Sequence, residues 1–449
     1  MAIKFKNIID TPCGLRFIFS KLNLSSTLSR TLVLESEIIT SDKEIETAYD
    51  ELKQIDRIFS KGGDLYHLKH KIKLKLSHLK DIRRTLKKLN EGFVLDDIEL
   101  YEIKHLAIIS EDIKELEGEL IPDFVKLPDL KSVISILDPE DKKIGSFYIY
   151  DKYSEELKIA RDHLKCTGVP TPEIMNLISS IEDEVRKNIC IELKKSAKVL
   201  NDSLSGLSKT DILIAKSEQI SELKLSIPSL SQSETKYRAL FNPEVSEILR
   251  LNKREFQPVD ICFKAGRPLL ITGSNMGGKS VTLKTLALSQ YLFQFCFGIP
   301  AKEASVPIVD NISYCSGDEQ DYKKGLSTFA AELKRIDTTL KLSRSGIKVL
   351  ALIDEPAGTT NPKEGTALAA GLIRILEKTT RFSVVTTHYN LDNVTCQKLK
   401  VTGLVNGKMD YSLSELDGGV VPYEALKIAE SLHIRSEERR VGKECRSRW

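Results

Sequence analysis

The sequence predicts an α/β domain with a mostly parallel sheet, preceded by an all-α region. Three short apolar runs, over 268–272, 348–353 and 382–387, each lead into polar residues and are separated by stretches long enough for helices. Before residue 240, by contrast, apolar residues recur at helical spacing. Buried parallel strands appear as near-continuous apolar runs, whereas in amphipathic helices the apolar residues repeat with a period of about 3.6. The two patterns of apolar residues therefore indicate strands in one region and helices in the other.

Length and composition fit two or three domains. The chain has 449 residues, of which 41% are hydrophobic and 29% are charged. Because single cores rarely grow so large, we place a helical core or lever domain at 1–240, with long helices over about 44–120 and 153–220, and an α/β domain at 241–434. No apolar run is long enough for a signal peptide or a membrane span. The eight scattered cysteines favour a reducing, cytoplasmic location.

The net charge of +3 comes entirely from the last fifteen residues, 435–449, which hold six basic and three acidic residues. This tail has no apolar periodicity, contains the only tryptophan and resembles a translated adapter sequence, so we expect it to be non-native. The rest of the chain is electrically balanced. Composition therefore gives no global argument for nucleic-acid binding, and such a partner would need a local basic patch.

One such patch is the basic segment, 69–88. Apolar residues at helical spacing from Leu65 to Leu89 predict a single helix, and the residues on its other face are basic, with only Asp81 opposing them within the segment. That face is either a solvated surface, the commoner role of a charge run, or a contact for a phosphate backbone or another acidic partner. Its basic residues are Lys69, Lys71, Lys73, Lys75, Lys80, Arg83, Arg84, Lys87 and Lys88.

A glycine-rich loop, Gly-Ser-Asn-Met-Gly-Gly-Lys-Ser, follows the first predicted strand and leads into a predicted helix. Glycines let the backbone curl so that its N–H groups and the helix N-terminus face phosphates. Lys279 is expected to contact the β- and γ-phosphates of ATP, and the Ser280 hydroxyl to bind Mg²⁺. The predicted nucleotide-binding residues of this loop are Gly273, Ser274, Asn275, Met276, Gly277, Gly278, Lys279, Ser280 and Val281.

The other two predicted strands end in groups suited to hydrolysis. The second strand ends in Asp354 and Glu355. Asp354 is expected to bind the same Mg²⁺ as Ser280, and Glu355 to polarise the attacking water. The third ends in Thr-Thr-His388, whose imidazole is placed to contact the γ-phosphate or the water. An isolated Asp-Glu pair or strand-end histidine is more often structural, but together with Lys279 these residues predict an ATPase.

A further block, Ser327-Thr328-Phe-Ala-Ala-Glu-Leu333, puts two hydroxyls at the start of a predicted helix. Such hydroxyls are often no more than helix caps. A helix N-terminus with free hydroxyls is also a site for an anion. In dimeric ATPases of the ABC type, a serine-containing block at such a helix start contacts the ATP that is bound by the opposite subunit.

These blocks, in this order, resemble those of the MutS family. The phosphate loop, Ser-Thr-Phe-Ala-Ala-Glu-Leu and Thr-Thr-His-Tyr are all similar to MutS motifs, although Ser274 replaces the family's proline. The loop after Glu355 looks more like the second MutS subfamily. The resemblance is specific over about 250–433, and Leu137-Asp-Pro and Tyr153-Ser-Glu-Glu-Leu-x-x-x-Arg161 extend it weakly. It implies an ABC/MutS-type P-loop ATPase, with Phe256 stacked on adenine and a homodimer in which Ser327 and Thr328 act in trans.

The resemblance leaves the partner open. Mismatch-repair members begin with a domain that wedges a phenylalanine into the duplex, and the second subfamily ends in a nuclease-like domain; we expect neither in this sequence. One hypothesis is a dimeric clamp that binds mismatched or structured DNA through the basic segment and is gated by ATP. The alternative is a MutS-derived ATPase that acts on a protein, such as an adenosylcobalamin-dependent aminomutase. A third is processing of branched DNA or ribosomes.

Overall fold

The structure is a computed structural model that describes residues 3–59, 64–117, 126–168, 170–273, 277–316, 328–358, 360–391, 393–405 and 408–416. The described residues form two compact units. The α/β unit comprises those within Met1–Leu22, Ser36–Asp50 and Gln219–Trp449, and the helical unit those within Asn23–Glu35 and Glu51–Glu218. This division differs from the predicted boundary at residue 240. The predicted tail 435–449 lies outside the described residues.

The helices in the described part of the chain are, in order, α1 (Phe5–Ile8), α2 (Leu15–Ser20), α3 (Thr27–Glu35), α4 (Asp42–Phe59), α5 (Asp64–Leu76), α6 (Arg83–Glu91), α7 (Asp97–Glu117), α8 (Lys131–Leu137), α9 (Glu155–Thr167), α10 (Pro172–Lys195), α11 (Ala197–Leu223), α12 (Pro243–Leu251), α13 (Lys279–Gln294), α14 (Thr328–Arg344) and α15 (Pro362–Thr379). A short 3-10 helix also covers Asp151–Tyr153. Helices α4 and α11 contain residues of both units.

The strands of the described residues all belong to the α/β unit. They are β1 (Ser229–Ser231), β2 (Glu234–Leu240), β3 (Val259–Lys264), β4 (Leu269–Thr272), β5 (Glu303–Pro307), β6 (Asn311–Ser316), β7 (Val349–Asp354), β8 (Phe382–Thr387), β9 (Gln397–Val405) and β10 (Lys408–Glu415). They form a four-stranded sheet of order β1-β5-β2-β3 and a six-stranded sheet of order β10-β9-β4-β8-β7-β6.

The six-stranded sheet confirms the predicted α/β class. Its strands from β9 to β6 pair in parallel, and only β10 is antiparallel, against β9. The strands β4, β7 and β8 coincide closely with the three predicted apolar runs, and every residue in them is buried. Parallel strands covered on both faces have this composition. Their carboxyl ends lie at one edge of the sheet, which is where Lys279, Asp354, Glu355 and His388 fall.

Helices α13 and α14 cover this sheet. Helix α13 contacts β6, β7 and β8, and α14 contacts β6 and β7. Nearly all of α13 is buried, so the helix that follows the glycine-rich loop is held firmly within the unit. A core of apolar residues from the sheet and α15 adjoins it, including Leu270, Val349, Ala351, Ile353, Leu372, Ile373, Leu376 and Val385.

The predicted regions 44–120 and 153–220 are made of several helices, and the single helix predicted from Leu65 to Leu89 is divided in two. Helix α5 ends at Leu76 and α6 begins only at Arg83, because the Asp81 carboxylate accepts a hydrogen bond from the Arg83 backbone N–H at 3.2 Å and so supports a new helix start. Further along, Gly168 adopts a left-handed conformation with φ 65° and ends α9. Helical periodicity continues across such breaks, since two shorter helices can present the same apolar stripe.

The residues that carried the weak resemblance in the helical unit form buried polar contacts. Asp138 lies 3.0 Å from the Lys104 ammonium, and their side chains are 1% and 0% exposed. Burial alone would raise the pKa of Asp138, but hydrogen bonds from Tyr150 and Lys104 outweigh it and hold that pKa at about 2. Arg161 contacts both Asp151 and Glu182. The polar contacts of Asp138 and Arg161 therefore give these two residues a structural role within the helical unit.

Across the residues that the structure describes, no helix combines the length and the apolar composition needed to cross a membrane.

Candidate nucleotide-binding site

The glycine-rich loop connects β4 to α13, as predicted. Gly273 has φ 146° and Gly278, the N-cap of α13, has φ 75°, conformations that side chains rarely adopt. A Cβ on Gly273 would also lie only 3.0 Å from the Cβ of Val401. Both glycines are therefore required by the backbone. Gly277 is buried, Ser280 is exposed and Val281 is half-buried, whereas Ser274, Asn275 and Met276 lie outside the described residues.

Lys279 contacts both the glycine-rich loop and Glu355, the residue that follows β7. Its side chain is almost fully buried, with the residue 4% exposed. The Nζ atom donates a hydrogen bond to the Gly273 carbonyl at 3.0 Å and lies 3.1 Å from Glu355 Oε1. A buried ammonium needs such partners because leaving it unpaired costs several kcal/mol. The motif lysine and the strand-end glutamate are thus brought together.

Thr386 holds the two carboxylate residues at the end of β7. Its hydroxyl donates to Asp354 Oδ1 at 2.6 Å and accepts from the Glu355 backbone N–H at 3.1 Å. Both Thr386 and Asp354 are buried. This role of Thr386 was not predicted from the sequence. It depends on the parallel pairing of β7 with β8, whose register sets Asp354 beside Thr386. Thr386 therefore fixes the orientation of Asp354.

Glu355 lies between the Lys279 ammonium and the His388 imidazole. Its Oε2 atom is 3.7 Å from His388 Nδ1, an electrostatic contact longer than a hydrogen bond, and its Oε1 atom contacts Lys279. The attraction of the His388 imidazole, followed by that of the Lys279 ammonium, outweighs burial and lowers the pKa of Glu355 to about 2. Glu355 is thus a carboxylate at neutral pH, and its side chain is still 31% exposed.

The turn after Glu355 is strained and well held. Glu355 and Ala357 have φ values of 46° and 59°, a left-handed conformation that costs about 1–2 kcal/mol per residue with a side chain. The Ala357 N–H donates to Glu332 Oε1 at 3.0 Å, and the Tyr389 hydroxyl donates to the Ala357 carbonyl at 2.9 Å. The Gly358 N–H closes the turn on the Glu355 carbonyl at 3.0 Å. The backbone behind Glu355 is therefore fixed by two distant side chains.

Tyr411 is a second residue that sequence analysis missed. It lies at an irregularity in the β9–β10 pairing, between Asp410 and Leu413. Gln257 donates to Asp410 Oδ1 at 2.7 Å and accepts from the Tyr411 N–H at 3.0 Å. The Tyr411 ring lies 3.2 Å from where a Cβ on Gly278 would be. No motif signals this residue, because its contact depends on a bulge that directs its side chain.

The remaining predicted residues are less well defined. Phe256 is half-buried. The neighbouring residue, Gln257, forms hydrogen bonds with Asp410 and Tyr411 of β10, so the segment that contains Phe256 lies beside the strand that carries Tyr411. Thr328 is the first residue of α14, while Ser327 lies outside the described residues. The stacking of Phe256 on adenine, and the contact of Ser327 and Thr328 with the ATP of a second subunit, stay predictions.

The basic segment differs from its sequence prediction. Most of its cations are paired with carboxylates, several from distant parts of the helical unit. Lys69 and Lys73 contact Glu218, and Lys75 contacts Asp112. The other pairs are Arg83 with Asp81 and Glu35, Lys87 with Glu91, and Lys88 with Glu99. Lys71, Lys80 and Arg84 are exposed and have no carboxylate partner among the residues described.

Comparison with known proteins adds to this geometry. Residues 269–429 match the family described as MutS domain V. The chain is also 32% identical over 229 residues to the Endonuclease MutS2 of Caldanaerobacter subterraneus subsp. tengcongensis, an alignment covering 50% of this chain and 28% of that protein.

Residues 269–429 of this chain therefore correspond to a domain of the MutS family. Two further MutS relatives are similar to this chain. The Endonuclease MutS2 of Lactobacillus acidophilus is 34% identical over 256 residues, which cover 54% of this chain and 30% of the relative. That of Aquifex aeolicus is 34% identical over 212 residues, covering 46% and 27%. The chain therefore spans less than a third of the length of these MutS relatives.

Proposed function

We propose that this chain is an ATP-binding and ATP-hydrolysing member of the MutS family. The observation that carries the proposal is the contact of Lys279 with Glu355, and of Glu355 with His388, beside the glycine-rich loop. All three lie at the carboxyl edge of the parallel sheet, where α/β proteins bind their ligands. The match to MutS domain V over 269–429 supports the same function.

The Lys279–Glu355 contact suggests how ATP would activate the site. A polyphosphate carries several negative charges and competes with Glu355 for the Lys279 ammonium. When Lys279 turns to the phosphates, Glu355 loses one of the two side chains that lower its pKa. Its carboxylate then becomes a better proton acceptor for the attacking water, while His388 stays beside it. ATP itself would thereby prepare the base that hydrolyses it.

Ser280 and Asp354 are the residues that would hold Mg²⁺. Their oxygen donors suit this ion, and Asp354 is held in a fixed orientation by the Thr386 hydroxyl. Helix α13, whose first turn contains Ser280, packs against β7, which ends at Asp354. When bound, Mg²⁺ would neutralise charge on the phosphates.

We infer that the ATPase works as a homodimer. Thr328 begins the helix α14, whose N-terminus can attract the phosphates of an ATP held by a second copy. ATP would then close the dimer, and hydrolysis would reopen it and move the helical unit. A sedimentation measurement with and without an ATP analogue tests this, and a species that stays monomeric at all protein concentrations would contradict it.

Substitution of the proposed base tests the hydrolysis directly. Glu355→Gln should leave ATP affinity within about threefold and lower single-turnover hydrolysis by about 100-fold or more, since a positioned base contributes about 10²–10⁴ in rate. Glu364→Gln, at an exposed carboxylate on α15, is the matched control and should behave as wild type. Unchanged hydrolysis in Glu355→Gln would contradict the assignment.

DNA is the partner that we propose for the helical unit, with two supporting observations. Lys71, Lys80 and Arg84 remain exposed and available to phosphates, and the curated relatives are named endonucleases. Binding to matched, mismatched and branched duplexes should be measured across a salt series with an ATP analogue. Three phosphate contacts predict a slope of log K against log salt of about −3. Absence of binding at low salt would instead favour a protein partner.

A further inference from the structure

Glu332 is a buried carboxylate with no part in the proposed chemistry. It is 2% exposed and lies on α14, within the Ser-Thr-Phe-Ala-Ala-Glu-Leu block. Burial raises its pKa. Its Oε1 atom accepts the hydrogen bond of the Ala357 N–H at 3.0 Å. A carboxylate is costly to bury, so its backbone partner indicates where it acts.

Ala357 is the centre of the turn that follows Glu355. Glu332 binds the N–H of Ala357 from α14, and the Tyr389 hydroxyl binds its carbonyl from the end of β8. The left-handed conformations of Glu355 and Ala357 are unfavourable alone, so the turn needs these outside partners to persist. Loss of either partner would let the turn relax toward ordinary dihedral angles and rotate the Glu355 carboxylate.

We propose that Glu332 is a positioning residue for ATP hydrolysis, which holds the turn Glu355–Gly358 so that the Glu355 carboxylate faces Lys279 and His388. Glu332 lies one helical turn after Thr328, the start of the signature helix. Because a helix moves as a stiff element, a displacement of the start of α14 reaches the Ala357 N–H directly. Glu332 thus makes the geometry of the base depend on the position of α14. This inference rests on the proposed ATPase function.

Two substitutions at Glu332 separate positioning from a general structural role. Glu332→Ala removes the acceptor and should lower the kcat of ATP hydrolysis about tenfold while changing ATP affinity less than about twofold. Glu332→Gln keeps an acceptor oxygen for the Ala357 N–H, so it should recover most of the lost kcat. A merely structural residue would lower the melting temperature without this split between kcat and affinity. Glu364→Ala, at an exposed carboxylate, is the matched control.

The decisive measurement combines Glu332→Ala with Glu355→Gln. If Glu332 acts through Glu355, it causes no further loss of single-turnover hydrolysis once the base is gone. A tenfold loss that multiplies with that of Glu355→Gln would overturn the inference. Tyr389→Phe removes only the hydroxyl that binds the Ala357 carbonyl, and serves if Glu332→Ala fails to fold. Like Glu332→Ala, it should lower kcat while leaving ATP affinity nearly unchanged. In the Glu355→Gln background it should cause no further loss of single-turnover hydrolysis.

Failure of the inference can be told apart from failure of the proposed function. A wild-type protein that hydrolyses no ATP overturns both. A wild-type protein that hydrolyses ATP, with Glu332→Ala and Tyr389→Phe both matching its kcat, overturns only the positioning role of Glu332.

Discussion

Positive charge is prominent in two regions of this molecule, and they behave differently. The glycine-rich loop has a single lysine, Lys279, which is buried and contacts Glu355. The basic segment has nine cations, of which six contact carboxylates. One buried cation in fixed backbone geometry thus indicates a candidate site better than a long run of mostly paired cations does. The number of charges along a sequence does not by itself give the field outside the protein.

The physical difference lies in solvation. Exposed ion pairs contribute only about 0–1 kcal/mol each, yet each cancels the charge that a distant phosphate would feel. A buried cation, by contrast, is costly to leave unpaired. Lys279 therefore keeps a partner, and an incoming polyphosphate must exchange with it. Changes at the loop are therefore expected to have larger effects than changes in the basic segment.

The largest effect is expected at Lys279. Lys279→Ala should weaken ATP binding about 100-fold, equivalent to about 2.7 kcal/mol, because it removes a charged donor to the phosphates. Lys284→Ala, one turn further along α13, removes the same charge outside the loop and should change affinity less than twofold. Titration with a fluorescent ATP analogue measures both. Equal affinities in the two variants would mean that burial and loop geometry do not distinguish Lys279.

An intermediate effect is expected in the basic segment. Replacing Lys71, Lys80 and Arg84 by Gln should weaken duplex binding about tenfold at low salt and reduce the salt slope by about 0.9 for each phosphate that is no longer neutralised. The control removes a whole ion pair, Lys75→Gln with Asp112→Asn, which leaves the net charge unchanged. That control should bind DNA as wild type does. If the control weakens binding as much as the triple variant, the distinction between paired and unpaired cations is wrong.

The smallest effect concerns stability and pH. The pKa of Glu355 is lowered from an ordinary 4.5 to about 2, so its charge stabilises the fold fully above pH 4.5, and this contribution is lost as the pH falls towards 2. Without nucleotide, Glu355→Gln should melt about 2 °C below wild type at pH 7. The difference should narrow by pH 3.5 in calorimetric scans. A constant difference over this range would show that the Glu355 charge is not involved.

Much of the α/β unit could be predicted because its strands are buried on both faces. The apolar runs that predicted β4, β7 and β8 leave little choice of structure, and the carboxyl ends of parallel strands necessarily meet. Strands β9 and β10 have polar residues on exposed positions and gave no comparable signal. The place of the N-terminal segment was equally invisible, since it depends on contacts such as that of Phe5 with Phe295 and Phe297.

The arrangement of the candidate site was predictable where backbone geometry demands particular residues. The glycines, Lys279 and the strand-end carboxylates follow from what a phosphate loop and a parallel sheet require. Thr386 and Glu332 escaped prediction because their partners lie 32 and 25 residues away and their hydrogen bonds exist only after folding. The pairing of the basic segment was missed for the same reason, as Glu218 and Asp112 are distant in sequence.

Tyr411 has a consequence for comparing relatives of this chain. The ring that closes the outer side of the loop at Gly278 belongs to a strand without any recognisable motif. Under the proposed function, a substitution in that strand would alter how tightly the loop holds a nucleotide while every signature block stays intact. Two homologues with identical motifs would then differ in nucleotide affinity, and the cause would have to be sought about 130 residues downstream of the glycines.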